Sequence, residues 1–393
     1  MLNKWINWFL QKRNFATILL VLFLTQFVWI EGYAISYVKV GMMALCPVLL
    51  LIHRPPINKA MILCAVIYIY VIISASFHPE SFRASTLIYR LMFLLMYVTF
   101  FSFVYTGAFK LPYFLKFVKY LILAYCICLI LQQICVLIGI RFLPFINLNN
   151  QFFLSIHKLP SLSIEPSHSA KILGVLFYAY LKCNEIISGN KVTLTQLFSN
   201  KHKLVTCAFL WSMLTMGSGT AFLCMGILSL YFMKGFQFLY AIPIFVGVYF
   251  MLDVFEVSQF ERVQVTAQAT MTGDSQEVAE ADGSAAVRIK PLLNTLHLDY
   301  TKAENWFGRG CDAGLQHGLY GDDRYIAGIS DFGLIFYFLS MFFTYTCVCN
   351  FWSMPSLMMF VGIGGGIGNV ANCWGMQMVF TCVLYFLNSH RKK

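Results

Sequence analysis

Residues 117–140, FVKYLILAYCICLILQQICVLIGI, hold a single charge, Lys119. As a helix rising about 1.5 Å per residue, the run outreaches a hydrocarbon core of about 30 Å. Comparable runs lie near 14–30, 34–52, 60–76, 87–106, 168–181, 204–216, 220–232, 236–252, 333–349, 357–370 and 373–387. The chain is expected to be an all-α polytopic membrane protein of about twelve transmembrane helices.

Composition agrees. Hydrophobic residues make up 59% and charged ones 11%, against about 45–50% and about 25% in soluble domains. The few acids are segregated. Thirteen of the 17 lie between Asp253 and Asp331, with six Lys or Arg, leaving that stretch at −7 and the rest at +18 within the net +11. Segments 1–13, 53–59, 108–119, 182–203, 233–235 and 388–393 hold 16 basic residues against one acid, Glu185. This asymmetry places both termini in the cytoplasm, and it assigns the basic balance to membrane flanks, with no nucleic acid as partner.

Three parts follow: 1–252, nine helices with an outer loop at 141–167; 253–331, one large extramembrane loop; and 332–393, three helices and a cytoplasmic tail. The run after Arg13 exceeds a secretory h-region of about 7–15 residues, so the first span is expected to stay uncleaved. Glycines at Met216-Gly-Ser-Gly-Thr220 are expected to divide 204–232 into two crossings, which keeps Lys201, Lys203 and Lys234 on one side. The thirteen Cys lack metal-ligand spacing and read as small buried hydrophobes.

Two stretches carry candidate chemistry. In Leu159-Pro-Ser-Leu-Ser-Ile-Glu-Pro-Ser-His-Ser-Ala170, Pro166 suits the first turn of a helix, with Glu165 at the cap. Free N–H groups and a partial positive charge make such an entrance attractive to anions, and Lys158 and Lys171 flank it. Glu165, with His168 beside it, is either a capping carboxylate or a group that takes a proton from a substrate hydroxyl.

The loop contributes Arg288, Asn305-Trp-Phe-Gly-Arg-Gly-Cys-Asp-Ala-Gly314, Asp322-Asp-Arg-Tyr325 and Ile329-Ser-Asp-Phe-Gly333. Gly308, Gly310 and Gly314 permit tight turns or close approach to a ligand. Arg288, Arg309 and Arg324 are candidate clamps for phosphate or diphosphate, or surface ion-pair partners. Asp322 and Asp323 would hold a divalent cation or simply face solvent. Arg90, in the fourth span seven residues after Arg83, is an intramembrane cation that either binds substrate or snorkels to headgroups. No His or Cys spacing points to zinc, and neither metal nor cofactor is expected.

The order of these parts resembles that of O-antigen and exopolysaccharide polymerases of the Wzy type and, more distantly, O-antigen ligases. The shared features are about a dozen spans, Glu165-Pro-Ser entering a middle span, the small-residue turn Ser218-Gly-Thr-Ala221, and one large late loop. That loop holds Arg288, Phe307-Gly-Arg-Gly310 and an acidic-aromatic approach to Phe332-Gly-Leu. Lys158 stands where the family often has Arg, and Gly219 occupies the usual Arg of its Ser-Arg turn. His317 lacks the Asn that follows the ligase's loop histidine, which favours the polymerase.

The resemblance implies a GT-C-like fold in the bacterial inner membrane with a periplasmic loop. It implies glycosyl transfer from undecaprenyl-diphosphate-linked oligosaccharide, with a chain-length regulator as a candidate partner. Catalytic roles would fall to Glu165, Arg288 and His168, and diphosphate binding to Lys158, Arg309, Arg324, Arg90, Asp322 and Asp323. A lipid-linked oligosaccharide flippase is the reading from another class.

Overall fold

The structure, a computed structural model, describes residues 7–25, 36–140, 158–233, 283–311, 313, 325–326, 328–363 and 371–391. Helices and their connections account for all of them, with no strand among the described residues. The helices are α1 (Lys12–Leu24), α2 (Tyr37–His53), α3 (Lys59–Ser76), α4 (Ala84–Tyr105), α5 (Leu111–Leu137), α6 (Pro166–Ser188), α7 (Leu194–Leu197), α8 (Lys203–Thr215) and α9 (Gly219–Ser229). After them come α10 (Gly283–Leu296), α11 (Ala303–Phe307), α12 (Ile329–Phe343), α13 (Met354–Ile363) and α14 (Ala371–Arg391). A five-residue π-helical turn, Thr344–Val348, extends α12. The expected span at 236–252 and the stretches 141–157 and 253–282 lie outside the described residues.

Local chemistry sets the helix ends. The Asn58 side chain accepts a hydrogen bond from the Met61 N–H and opens α3. Pro166 occupies the first turn of α6, and Gly189 closes it in the left-handed region. The expected break in 204–232 falls at Met216-Gly217-Ser218, between α8 and α9.

Among the described residues four helices are long and apolar enough to cross a membrane: Lys59–Ser76, Ala84–Tyr105, Leu111–Leu137 and Ile329–Val348. The apolar helices α2, α8 and α9 are shorter. Helix α3 leaves Ile62, Val66, Ile69, Ile72 and Ile73 exposed, an apolar face that suits lipid and is costly in water. Helices α6 and α14 form the interior instead. They pack on each other, and around them stand α5, α8 and α9 on one side and α1, α4 and the π turn on the other. Gly375 brings α14 against the backbone of α1, where a Cβ would meet the Phe23 carbonyl at 2.6 Å.

Side-chain pairs fix the directions. Phe93 packs on Trp374, the Tyr97 hydroxyl meets Thr381 at 2.7 Å, and Tyr105 meets Tyr385, so α4 and α14 run parallel. Lys59 bonds the Thr346 carbonyl while Tyr70 bonds that of Phe332, so α3 and α12 are antiparallel. Gln133 donates to Thr215 at 2.9 Å at one end of the bundle, and Tyr231 donates to Glu185 at 2.8 Å at the other. The chain therefore runs up along α8 and back down along α9. Lys12, Arg13, Lys59, Lys182 and Lys203 gather at one end; Glu165, His168, His78 and Asp331 belong to the opposite one.

Candidate functional site

The entrance to α6 is built on a buried turn. Ser161 takes a left-handed φ of 54°, a conformation that a residue with a side chain holds only when its surroundings enforce it. The fully buried Gln132 of α5 does so. Its amide donates to the Ser161 carbonyl at 3.0 Å, and its Oε1 accepts from the Ser161 N–H at 2.8 Å. The Ser161 hydroxyl donates to the Tyr125 carbonyl at 2.6 Å, and Ser169 reaches back to the Pro160 carbonyl. Every polar group in these contacts is paired inside the protein, which makes the turn rigid.

On that support Glu165 takes the N-cap backbone position, but its side chain makes no capping hydrogen bond. The carboxylate accepts from the Ser167 hydroxyl at 3.2 Å and lies 4.0 Å from His168 Nε2. Plain capping is thus not what this carboxylate does. It is held beside an imidazole at a half-exposed helix mouth, an arrangement suited to accepting a proton. Lys158, just before the turn, is exposed.

Lys171 stands one turn further along α6 and lines a small cavity with Thr220 and Cys224 of α9, Met358 of α13 and Met376 of α14. Gly174 lets α9 approach, since a Cβ there would lie 3.2 Å from that of Cys224. The Glu165-Pro-Ser entrance and the Ser218-Gly-Thr-Ala221 turn, 53 positions apart at Glu165 and Ser218, therefore belong to one neighbourhood.

A second cluster joins the loop to the bundle. Phe307-Gly-Arg-Gly310 lies against Ser330-Asp-Phe-Gly333: the Arg309 N–H donates to the Ser330 carbonyl at 3.3 Å and the Gly310 N–H to that of Asp331 at 3.0 Å. Helix α3 ties in both, through Ser74 to the Phe307 carbonyl and Tyr70 to the Phe332 carbonyl, each at 2.9 Å. Gly308 (φ 88°, ψ 178°) and Gly333 (φ 75°, ψ −178°) occupy a region open essentially to glycine alone. A Cβ on Gly308 would lie 2.5 Å from Phe332 Cα, and one on Gly333 2.6 Å from the Gly308 nitrogen. These glycines bring protein backbone to protein backbone, where the sequence left open a ligand. Gly333→Ala is expected to cost about 1–3 kcal/mol of backbone strain before the overlap is counted, read as a lower thermal midpoint of the detergent-solubilised protein. An unchanged midpoint would dissolve the clasp.

Arg90 enters this cluster from α4. It is buried, with its guanidinium 3.7 Å from an Asp331 carboxylate oxygen and 4.4 and 5.1 Å from the ring centres of Phe332 and Phe336. It does not snorkel; an acid and two aromatic faces hold it inside. Arg309 pairs with Glu304 at 3.1 Å, as a surface ion pair would. Asp299, before α11, is held below the usual carboxylate range by the Thr301 hydroxyl and then its N–H.

Arg288 falls in α10 with its side chain outside the described atoms, and Asp322, Asp323, Arg324 and His317 lie outside the described residues. The parallel course of α4, α6 and α14 sets the Glu165–His168–Lys171 group and the Arg90–Asp331 group at the same end of the bundle, with α14 between their helices. Sequence reasoning gave no role to Asp331 or Thr220, though both fall in stretches it singled out, and it passed over Gln132 altogether. Asp331 had a signal, an acid at the threshold of an apolar span. No protein-family model, characterised protein or solved structure matches the chain.

Proposed function

We propose that this protein is a Wzy-type polysaccharide polymerase of the bacterial inner membrane. It has about twelve spans, both termini in the cytoplasm and the acidic 253–331 loop in the periplasm. The observation that carries the reading is Glu165, turned away from capping its own helix and held by Ser167 and His168 at the mouth of a central helix, at the end of the bundle opposite the clustered lysines. The distribution of cations between the two ends supports the orientation.

The donor is a glycan on undecaprenyl diphosphate and the acceptor a single lipid-linked repeat unit. An acceptor hydroxyl attacks the anomeric carbon, the bond from that carbon to the diphosphate oxygen breaks, and the hydroxyl proton passes to Glu165. A diphosphate leaves readily once its charge is neutralised, so the site needs cations and a base more than a general acid. Arg90 and Arg309 already face carboxylates, so the clamp falls first to Arg288, with Lys158 and Arg324 as the further candidate cations.

The lipid-linked products of a deletion strain test the assignment. Loss of a polymerase leaves single repeats on the surface acceptor. Long lipid-linked polymer would instead mark a ligase, and repeats trapped on the cytoplasmic face a flippase. Topology tags that found 253–331 in the cytosol would overturn all of it, because the donor would never meet those side chains.

A further inference from the structure

Helix α14 carries polar groups that the glycosyl-transfer reading does not use. Gln377 is fully buried, and neither its amide nitrogen nor its amide oxygen has a protein hydrogen-bond partner among the described residues. The same holds for the indole N–H of Trp374, whose residue is 1% exposed. Three positions apart on a helix, the two side chains lie within about 60° of each other. One turn on, Thr381 donates to the Gln377 carbonyl at 2.8 Å and meets the Tyr97 hydroxyl at 2.7 Å. Phe93 and Tyr97 cover Trp374 from α4.

Two donors of one amide, its acceptor and an indole N–H thus lie on one buried face of α14. Each such group left unsatisfied in an apolar interior is destabilising, and native proteins retain them where water completes the bonding. Phe93 and Tyr97 present their rings to Trp374, and neither bonds its indole N–H. Gln377 and Trp374 together supply the two to four contacts that hold an internal water.

We propose that the Trp374–Gln377 face of α14 is an internal water-binding site, holding one or two waters between α14 and α4. The site stands independently of the glycosyl-transfer reading. The test is hydroxyl-radical footprinting of the full chain in nanodiscs, in which radicals formed from bound water label the side chains beside it, with ¹⁸O-water added to time exchange. Trp374 is expected to be labelled despite its burial and to take up ¹⁸O more slowly than Trp352, which is 88% exposed. Gln377→Leu should reduce Trp374 labelling severalfold and leave Trp352 unchanged. An unlabelled Trp374, or equal labelling in both proteins, overturns the site. Should the variant fail to fold, slow ¹⁸O uptake at Trp374 in the unaltered protein decides alone: present, it supports the water; absent, it removes it.

Discussion

Asp331→Ala is expected to destabilise the protein by about 3–5 kcal/mol, because it removes a carboxylate 3.7 Å from the buried Arg90 guanidinium. The side chains of the pair are only 8% and 13% exposed, so water cannot replace the lost carboxylate. The residual ring faces of Phe332 and Phe336 stabilise a cation by about 1–2 kcal/mol when desolvated, too little to compensate. Arg90→Met should cost a similar amount, because the buried acid loses this cation. The double variant Arg90→Met/Asp331→Leu is the decisive control. Exchanging a whole buried pair for apolar side chains of similar volume is often neutral, so it should recover most of the loss. A double-mutant cycle on thermal midpoints in detergent measures this coupling. Additive single effects would mean that the two charges act separately and that α12 is held to α4 by packing alone.

The sequence reading and the structure agree where local chemistry decides. Apolar length located α3, α4, α5 and α12, proline and glutamate marked the start of α6, and paired glycines separated α8 from α9. They part where the partner is remote. Arg90 is legible as an unusual intramembrane cation, but Asp331 stands 241 positions later, and nothing local to either residue names the other. Gly308 and Gly333 announce unusual backbone; that each accommodates the other's strand of chain depends on tertiary approach. The last apolar run showed no charge and suggested no site. Its burial against α6, α4 and α1 is what makes Gln377 and Trp374 informative, since the same residues at a lipid-facing edge would be unremarkable.

Glu165→Gln carries the largest expected effect on activity. General-base assistance contributes about 10²–10⁴-fold in rate, and the amide preserves size and the ability to accept from the Ser167 hydroxyl while losing basicity. Polymer formation should therefore fall by about that factor in a reconstituted assay with a lipid-linked repeat, at unchanged thermal midpoint. The unchanged midpoint follows from the geometry: the side chain makes no capping bond to α6, so its replacement leaves the helix start intact. Glu165→Asp tests reach, because a shorter carboxylate keeps the base but draws it back from the acceptor, and partial activity is expected. His168→Ala should lower the rate less than Glu165→Gln does, since the imidazole lies 4.0 Å from the carboxylate and takes no proton in the proposed step. If Glu165→Gln polymerises at the unaltered rate, proton removal does not occur at the mouth of α6, and the chemistry must be sought among the loop's own side chains.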